Sequence, residues 1–201
     1  DPEVEKFVVK QYYFPVVEIS AGSMLYYPQG KHFAYVMGYV GHINESDLLR
    51  LDKRDYAGTS YIGKLGLEKK YESHLHGEVG YKHVEINAQG RPLRVLKTQA
   101  PISGIDLQLS LHQSLQMQAQ TLLEGRKGAI VAMDPNNGDI LAFASQPTYN
   151  PNLFVNGIGQ KAYSQLRDNP DQPLFNRALV GQYPPGSTVK PLVAMAALEY
   201  Q

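Results

Sequence analysis

The chain has 201 residues, with 19 Lys and Arg against 19 Asp and Glu, six His, and no Cys or Trp. A hydrophobic fraction of 43% at zero net charge excludes the disordered class and leaves no counterion-release footprint for nucleic acid. The lack of cysteine excludes a disulfide framework, a thiolate metal site and a Cys nucleophile together, and the longest strongly apolar stretch, 192–198, falls far short of the ~20 residues that span a bilayer.

Residues 1–100 carry 25 charged side chains and residues 101–201 carry 13, so two parts with a boundary near the middle are expected. The first part reads as short strands among Tyr, Gly and His, at 7–11, 16–19 and 33–41, where Val36, Met37, Tyr39 and Val40 are β-formers between glycines. Residues 45–54 place Leu48, Leu49 and Leu51 within helical reach, as in a surface helix. Residues 65–75 set Leu65, Leu67, Tyr71 and Leu75 near one helical face, with Gly77 as the stop. Val84 and Ile86, then Leu93 and Val95, flank an Asn-Ala-Gln-Gly turn and predict a hairpin. In the second part Leu107, Leu109 and Leu111 alternate with Gln108 and Ser110, the period of a half-buried strand. Leu111, Leu115, Ala119 and Leu122 then fall at helical spacing before Gly125. Residues 129–133 and 140–144 are apolar strands joined by Asp-Pro-Asn-Asn-Gly. Strand, helix and hairpin in that order imply an antiparallel sheet with helices packed on it.

Three constellations could carry chemistry. Residues 58–64, Gly-Thr-Ser-Tyr-Ile-Gly-Lys, have P-loop spacing, but Leu65 stands where a hydroxyl should hold magnesium and no buried strand feeds the loop. This reads as a connection. His74 and His76, with Glu72, Glu78 and His83 nearby, read as surface histidines at a helix end, where positions i and i+2 diverge. Ser187-Thr-Val-Lys190 is the single Ser-x-x-Lys of the chain. Three apart on a helix, a hydroxyl and an amine project from one face, as a nucleophile and its base must. Pro184-Pro185-Gly186 ends whatever precedes, Pro191 suits a first helical turn, and 192–199 are good helix formers. An amine is a base only when neutral, and burial by Val189, Leu192, Val193, Ala194 and Met195 is expected to favour that form. A helix N-terminus there also aims N–H groups at a developing oxyanion.

Residues 183–191, Tyr-Pro-Pro-Gly-Ser-Thr-Val-Lys-Pro, closely resemble the active-site motif of class B penicillin-binding proteins, the D,D-transpeptidases that cross-link peptidoglycan. Residues 133–142 resemble the hairpin that opens their transpeptidase domain, and 147–155 and 173–178 follow in the family's order. Residues 26–30, 38–41 and 66–77 are similar to the family's N-terminal pedestal. Asn-Pro-Asn-Leu-Phe-Val at 150–155 and the two prolines before Gly186 look more like the elongation-specific penicillin-binding protein 2 branch than the division-specific one. The resemblance implies an α+β fold: a β-rich pedestal over 1–101, then the N-terminal portion of a serine-β-lactamase-like transpeptidase domain over 102–201. It implies Ser187 as the acyl-enzyme nucleophile and Lys190 as its general base; no cofactor is expected, and no metal ligand is expected among these residues. The implied partners are peptidoglycan pentapeptide stems, β-lactams, a RodA-type glycan polymerase and an MreC-type scaffold. The implied location is the periplasmic side of a bacterial inner membrane, reached through an anchor outside these residues.

One departure from the family pattern stands out. The family also uses a Ser-x-Asn motif and a Lys-Thr/Ser-Gly strand, and these 201 residues contain neither; Lys97-Thr98-Gln99 lacks the glycine and lies in the other half. The chain is therefore expected to hold the pedestal and the first part of a transpeptidase domain, and to be inactive alone. Two other readings remain. A non-catalytic interaction module would use only the pedestal. A serine β-lactamase or β-lactam sensor shares Ser-x-x-Lys but not the motifs of residues 20–90. A Ser-His-Asp hydrolase is disfavoured, since Ser187 lacks the Gly-x-Ser-x-Gly elbow.

Overall fold

The computed structural model describes residues 2–14 and 24–200. It begins with helix α1 (Pro2–Val8) and a 3-10 turn at Gln11–Tyr13, where a strand is expected at 7–11. Local main-chain bonds such as Val9 N–H to the Glu5 carbonyl and Lys10 N–H to the Phe7 carbonyl satisfy groups that a strand would leave to a neighbour. The strand expected at 16–19 lies outside the described residues.

There follow α2 (Ala34–Met37), β1 (Tyr39–His42), α3 (Glu45–Leu48), β2 (Tyr61–Leu65), α4 (Gly66–Lys70) and α5 (Glu72–Leu75). The single strand expected at 33–41 is thus a helical turn and a strand, divided at Gly38, whose φ is +76°. An ideal Cβ on Gly38 would lie 1.9 Å from the Leu65 carbonyl oxygen, and one on Gly66 would lie 2.5 Å from the Gly38 nitrogen. Two glycines are what let these backbones cross. Helix α3 starts at a capping box, Asn44 Oδ1 accepting from Asp47 N–H and Asp47 Oδ2 from Asn44 N–H. It stops six residues before the expected end at 54 because Leu48 and Leu49 find no cover and stay exposed.

The hairpin β3 (Tyr81–Ile86) and β4 (Pro92–Gln99) forms as expected, its turn held by Asn87 Oδ1, which accepts from the N–H groups of Gln89 and Arg91. No strand forms at 107–111. Its alternation is real, since Leu107, Leu109 and Leu111 are half-buried while Gln108 and Ser110 are exposed, but the segment has no ladder partner among the described residues. Then come α6 (Gln113–Leu122), β5 (Gly128–Met133), β6 (Ile140–Gln146), α7 (Asn152–Val155), α8 (Gln160–Arg167), α9 (Arg177–Val180) and α10 (Lys190–Glu199). The β5–β6 turn is closed by Gly138 N–H to the Asp134 carbonyl and Asp134 N–H to the Asp139 carbonyl, both at 2.9 Å. The fold is α+β, with three two-stranded antiparallel sheets among the described residues, β1–β2, β3–β4 and β5–β6.

The cores explain how the pieces hold together. Ala119 of α6 and Leu123, the residue that caps it, pack on Ala142 and Ala144 of β6, with Leu115 and Ile130 beside them. Leu122, expected on this face, is exposed; Gln116 and Gln120 are buried instead. Tyr27 and Val40 pack with Val155, and Ala34 packs with Tyr149 and Phe154. The segment around α2 and β1 is thereby seated on α7 and the chain before it. Among the described residues no helix is long and apolar enough to cross a membrane.

Candidate active site

Ser187 lies in a 3-10 turn, Gly186–Val189, and Lys190 is the first residue of α10. A 3-10 turn has three residues per turn, so positions i and i+3 stand in line. What joins the two residues is the main chain, the Lys190 N–H donating to the Ser187 carbonyl. Gly186 enters the turn at φ +54°, a left-handed conformation that favours glycine, and the Thr188 hydroxyl and N–H both donate to the Pro185 carbonyl. Pro191 falls in the first turn of α10, as expected.

The environment departs from expectation. Leu192, Val193 and Met195 are 67%, 62% and 66% exposed, no residue of α10 is buried, and Ser187 and Lys190 are themselves exposed. The apolar flank therefore does not desolvate the amine within these residues. The reason is geometric: among the described residues no second layer covers the apolar side chains of α10.

Elsewhere in the fold, several polar residues outside the Ser-x-x-Lys signal set the framework. Gln116 latches the free edge of β6: its Nε2 donates to the carbonyls of Phe143 (2.9 Å) and His32 (2.8 Å), and its Oε1 accepts from Phe143 N–H. Asn152 grips Tyr27 at two points, accepting from its N–H at 2.9 Å and donating to its carbonyl at 3.0 Å. The Tyr27 hydroxyl donates to Glu68 and accepts from Val40 N–H; burial is the main reason that its acidity is suppressed and that the Glu68 carboxyl sits above the usual carboxylate range. Arg177, 8% exposed, donates to the carbonyls of Asp171 and Gln172. The sequence signals for these were slight: Gln116 and Gln120 one turn apart on an otherwise apolar helix face, and Asn150 and Asn152 around a proline.

The other two constellations are structural. Residues 61–64 of the P-loop-like stretch lie in strand β2, and Lys64 pairs with Asp47. Glu72 accepts from Gly63 N–H and the Tyr56 hydroxyl, while the His76 ring stacks on Tyr56 and its Nε2 donates to the Asp55 carbonyl. His76 is thus half-buried rather than a surface residue, whereas His74 and His83 are exposed. Between β1–β2, α5 and the base of β3–β4 lies an open groove of about 1370 Å³, lined by Val40, Ile62, Leu75 and Tyr81 among others.

A β-rich N-terminal unit, then a helix-covered hairpin, then Ser-x-x-Lys opening a helix, is the layout of a penicillin-recognising serine scaffold on a pedestal. Residues 1–109 match the family model described as the penicillin-binding protein dimerisation domain, and residues 128–201 match the penicillin-binding protein transpeptidase domain. The peptidoglycan D,D-transpeptidase MrdA of Acinetobacter baumannii is 54% identical over 200 residues, covering 100% of this chain and 30% of that protein. The crystal structure of Pseudomonas aeruginosa PBP2 is 50% identical with a TM-score of 0.78, covering 90% of this chain and 36% of that one. A PBP2 from Helicobacter pylori, solved as a complex with MreC, is 37% identical with a TM-score of 0.87, covering 98% of this chain and 37% of that one. The chain belongs to the class B penicillin-binding proteins, in their PBP2-type D,D-transpeptidase branch. It spans about a third of the length of the curated relatives it matches.

Proposed function

We propose that these residues are part of a peptidoglycan D,D-transpeptidase of cell elongation, with Ser187 as nucleophile and Lys190 as its base. The observation that carries the reading is the Ser187–Lys190 turn at the head of α10, in line and hydrogen-bonded through the main chain, in a chain of this family. Ser187 Oγ attacks the carbonyl of the penultimate D-Ala of a stem peptide, and its proton passes to the Lys190 amine. The C–N bond of the resulting tetrahedral species breaks and terminal D-Ala departs as the amine, taking that proton. The amine of a neighbouring stem then attacks the acyl-serine, its surplus proton returning to Ser187 Oγ as the ester bond breaks. A β-lactam acylates the same oxygen through its strained amide and remains. The Ser187 N–H, at the turn that leads into α10, favours the developing oxyanion.

The work is divided at about residue 101: residues 1–101 form a non-catalytic pedestal, and 102–201 contribute the nucleophile turn. The PBP2-type relatives support a periplasmic, membrane-associated setting. The pedestal docks an MreC-type scaffold, a reading supported by the open groove and by the likeness to the Helicobacter pylori protein solved with MreC; a RodA-type polymerase is the partner proposed on the membrane side. Because these 201 residues contain neither Ser-x-Asn nor Lys-Thr/Ser-Gly, they do not turn over substrate alone. The test is covalent labelling of the full-length protein by a fluorescent penicillin, compared with Ser187→Ala. Loss of labelling with the fold retained supports the reading; undiminished labelling overturns it.

A further inference from the structure

Tyr35 belongs to α2, yet its hydroxyl stands among three carbonyls from the other end of the chain, those of Pro173 at 2.5 Å, Phe175 at 3.1 Å and Pro147 at 3.2 Å. A phenol has one proton to donate, so it serves one of these at a time; Pro173 is the nearest. Arg177 holds the same loop through the carbonyls of Asp171 at 2.7 Å and Gln172 at 3.1 Å, while its main-chain N–H donates to Ser145 Oγ on β6 at 3.0 Å. The loop is bent to present these carbonyls inward, Gln172 adopting φ +49°. From this anchor the chain runs through α9 to Gly181, where an ideal Cβ would lie 2.4 Å from the Arg177 carbonyl and 2.7 Å from the Tyr183 ring. It reaches Ser187 six residues later.

We propose that Tyr35 is a positioning residue for Ser187, its hydroxyl fixing the take-off of the arm that carries the nucleophile. The proposal rests on the reading of Ser187 as nucleophile. It makes the half of the chain that carries no catalytic group a contributor to the acylation rate. Burial lifts the Tyr35 hydroxyl to about 12, so it remains a donor throughout the neutral range. Displacing a reacting atom by about 1 Å can cost up to ~100-fold in rate even when the change is remote; the loss of one of several anchors is expected to cost about 5–10-fold.

The test is the time course of fluorescent penicillin labelling of the full-length protein, resolved into the rate at saturation, the half-saturating concentration and the final amplitude. Tyr35→Phe is expected to label to full amplitude, about 5–10-fold slower at saturation, with the half-saturating concentration within about twofold of the parent. Tyr39→Phe is the control, because the Tyr39 ring stacks on Phe154 at 4.3 Å in the same cluster; it is expected to label at the parental rate. Destabilisation alone lowers amplitude and leaves the rate unchanged, so a Tyr35→Phe protein with parental rate overturns the proposal whatever its amplitude. Should Tyr35→Phe fail to fold, Arg177→Lys, which keeps the charge and loses the fork to the loop carbonyls, takes its place under the same criteria. Labelling of Ser187→Ala at the parental rate would overturn the nucleophile assignment itself. With Ser187→Ala unlabelled, an unslowed Tyr35→Phe overturns the positioning role alone.

Discussion

Replacing Gln116 by Met removes three hydrogen bonds at nearly constant side-chain volume. Gln116 is fully buried, and its amide serves the Phe143 N–H, the Phe143 carbonyl and the His32 carbonyl. A buried polar group stripped of its partner costs ~1–3 kcal/mol. Phe143 is only half-buried, so water recovers part of the loss there, and the His32 carbonyl keeps a bond from Gln120 Nε2 at 3.3 Å; the sum for the three groups is therefore at the low end, about 3–4 kcal/mol. Against a total stability of ~5–15 kcal/mol this is a large fraction. It corresponds to a fall in Tm of roughly 6–15 °C for a chain of this size. Gln116→Ala adds a cavity beside Ala119 and should cost about 2 kcal/mol more. Urea and thermal unfolding of parent and variants supply the numbers. If Gln116→Met unfolds within about 0.5 kcal/mol of the parent, the glutamine is not the latch on the β6 edge and the account of that edge is wrong.

Further expectations concern the contacts that join the two ends of the chain. Asn152→Ala removes both bonds to the Tyr27 main chain and should destabilise by about 2–3 kcal/mol, with proteolysis between residues 24 and 44 accelerated; unchanged proteolysis would speak against the clamp. Gly38→Ala places a methyl group onto the Leu65 carbonyl at a positive φ and should abolish recovery of folded protein, so a soluble variant with a parental melt would refute the close crossing. Burial is the chief cause that holds the Glu68 carboxyl above its ordinary range, with Tyr27 opposing and Glu72 reinforcing the shift. The folded state thus keeps that proton after the unfolded chain has lost it. Stability must fall as pH rises from about 4.3 through the raised folded value, then level off. Glu68→Gln, neutral and still an acceptor for the Tyr27 hydroxyl, should therefore melt higher than the parent above that window and converge with it below. A pH-independent difference between the two melts would contradict the sign.

The elements legible in the sequence are those built from local chemistry. The turn residues Asn87 and Asp134 to Gly138 mark two hairpins, and Pro191 marks the start of α10. Where the outcome depends on a distant partner, the local pattern misleads. Leu107, Leu109 and Leu111 alternate in burial as a strand would, but alternation reports which side faces the core and not whether a neighbouring strand exists. Residues 33–41 contain β-formers, yet Ala34 is fully buried in a helical turn against Tyr149 and Phe154, so tertiary packing overrides propensity. The site divides in the same way. Ser187 and Lys190 stand out because their spacing is local. Gln116, Asn152 and Tyr35 do not, because each acts on a carbonyl or N–H more than 80 residues away. The expected desolvation of Lys190 failed for a related reason: an apolar flank buries an amine only when a second surface covers it, and α10 has none among the described residues.

The central claim is that Ser187 is the oxygen that becomes acylated, and the direct measurement is the site of the adduct. The full-length protein is labelled with a penicillin, digested with trypsin and mapped by tandem mass spectrometry. The mass of one intact penicillin is predicted on the peptide that begins at Ala178, after Arg177, with fragment ions placing it on Ser187. An adduct on any other residue, or saturating labelling with this peptide unmodified, would contradict the account.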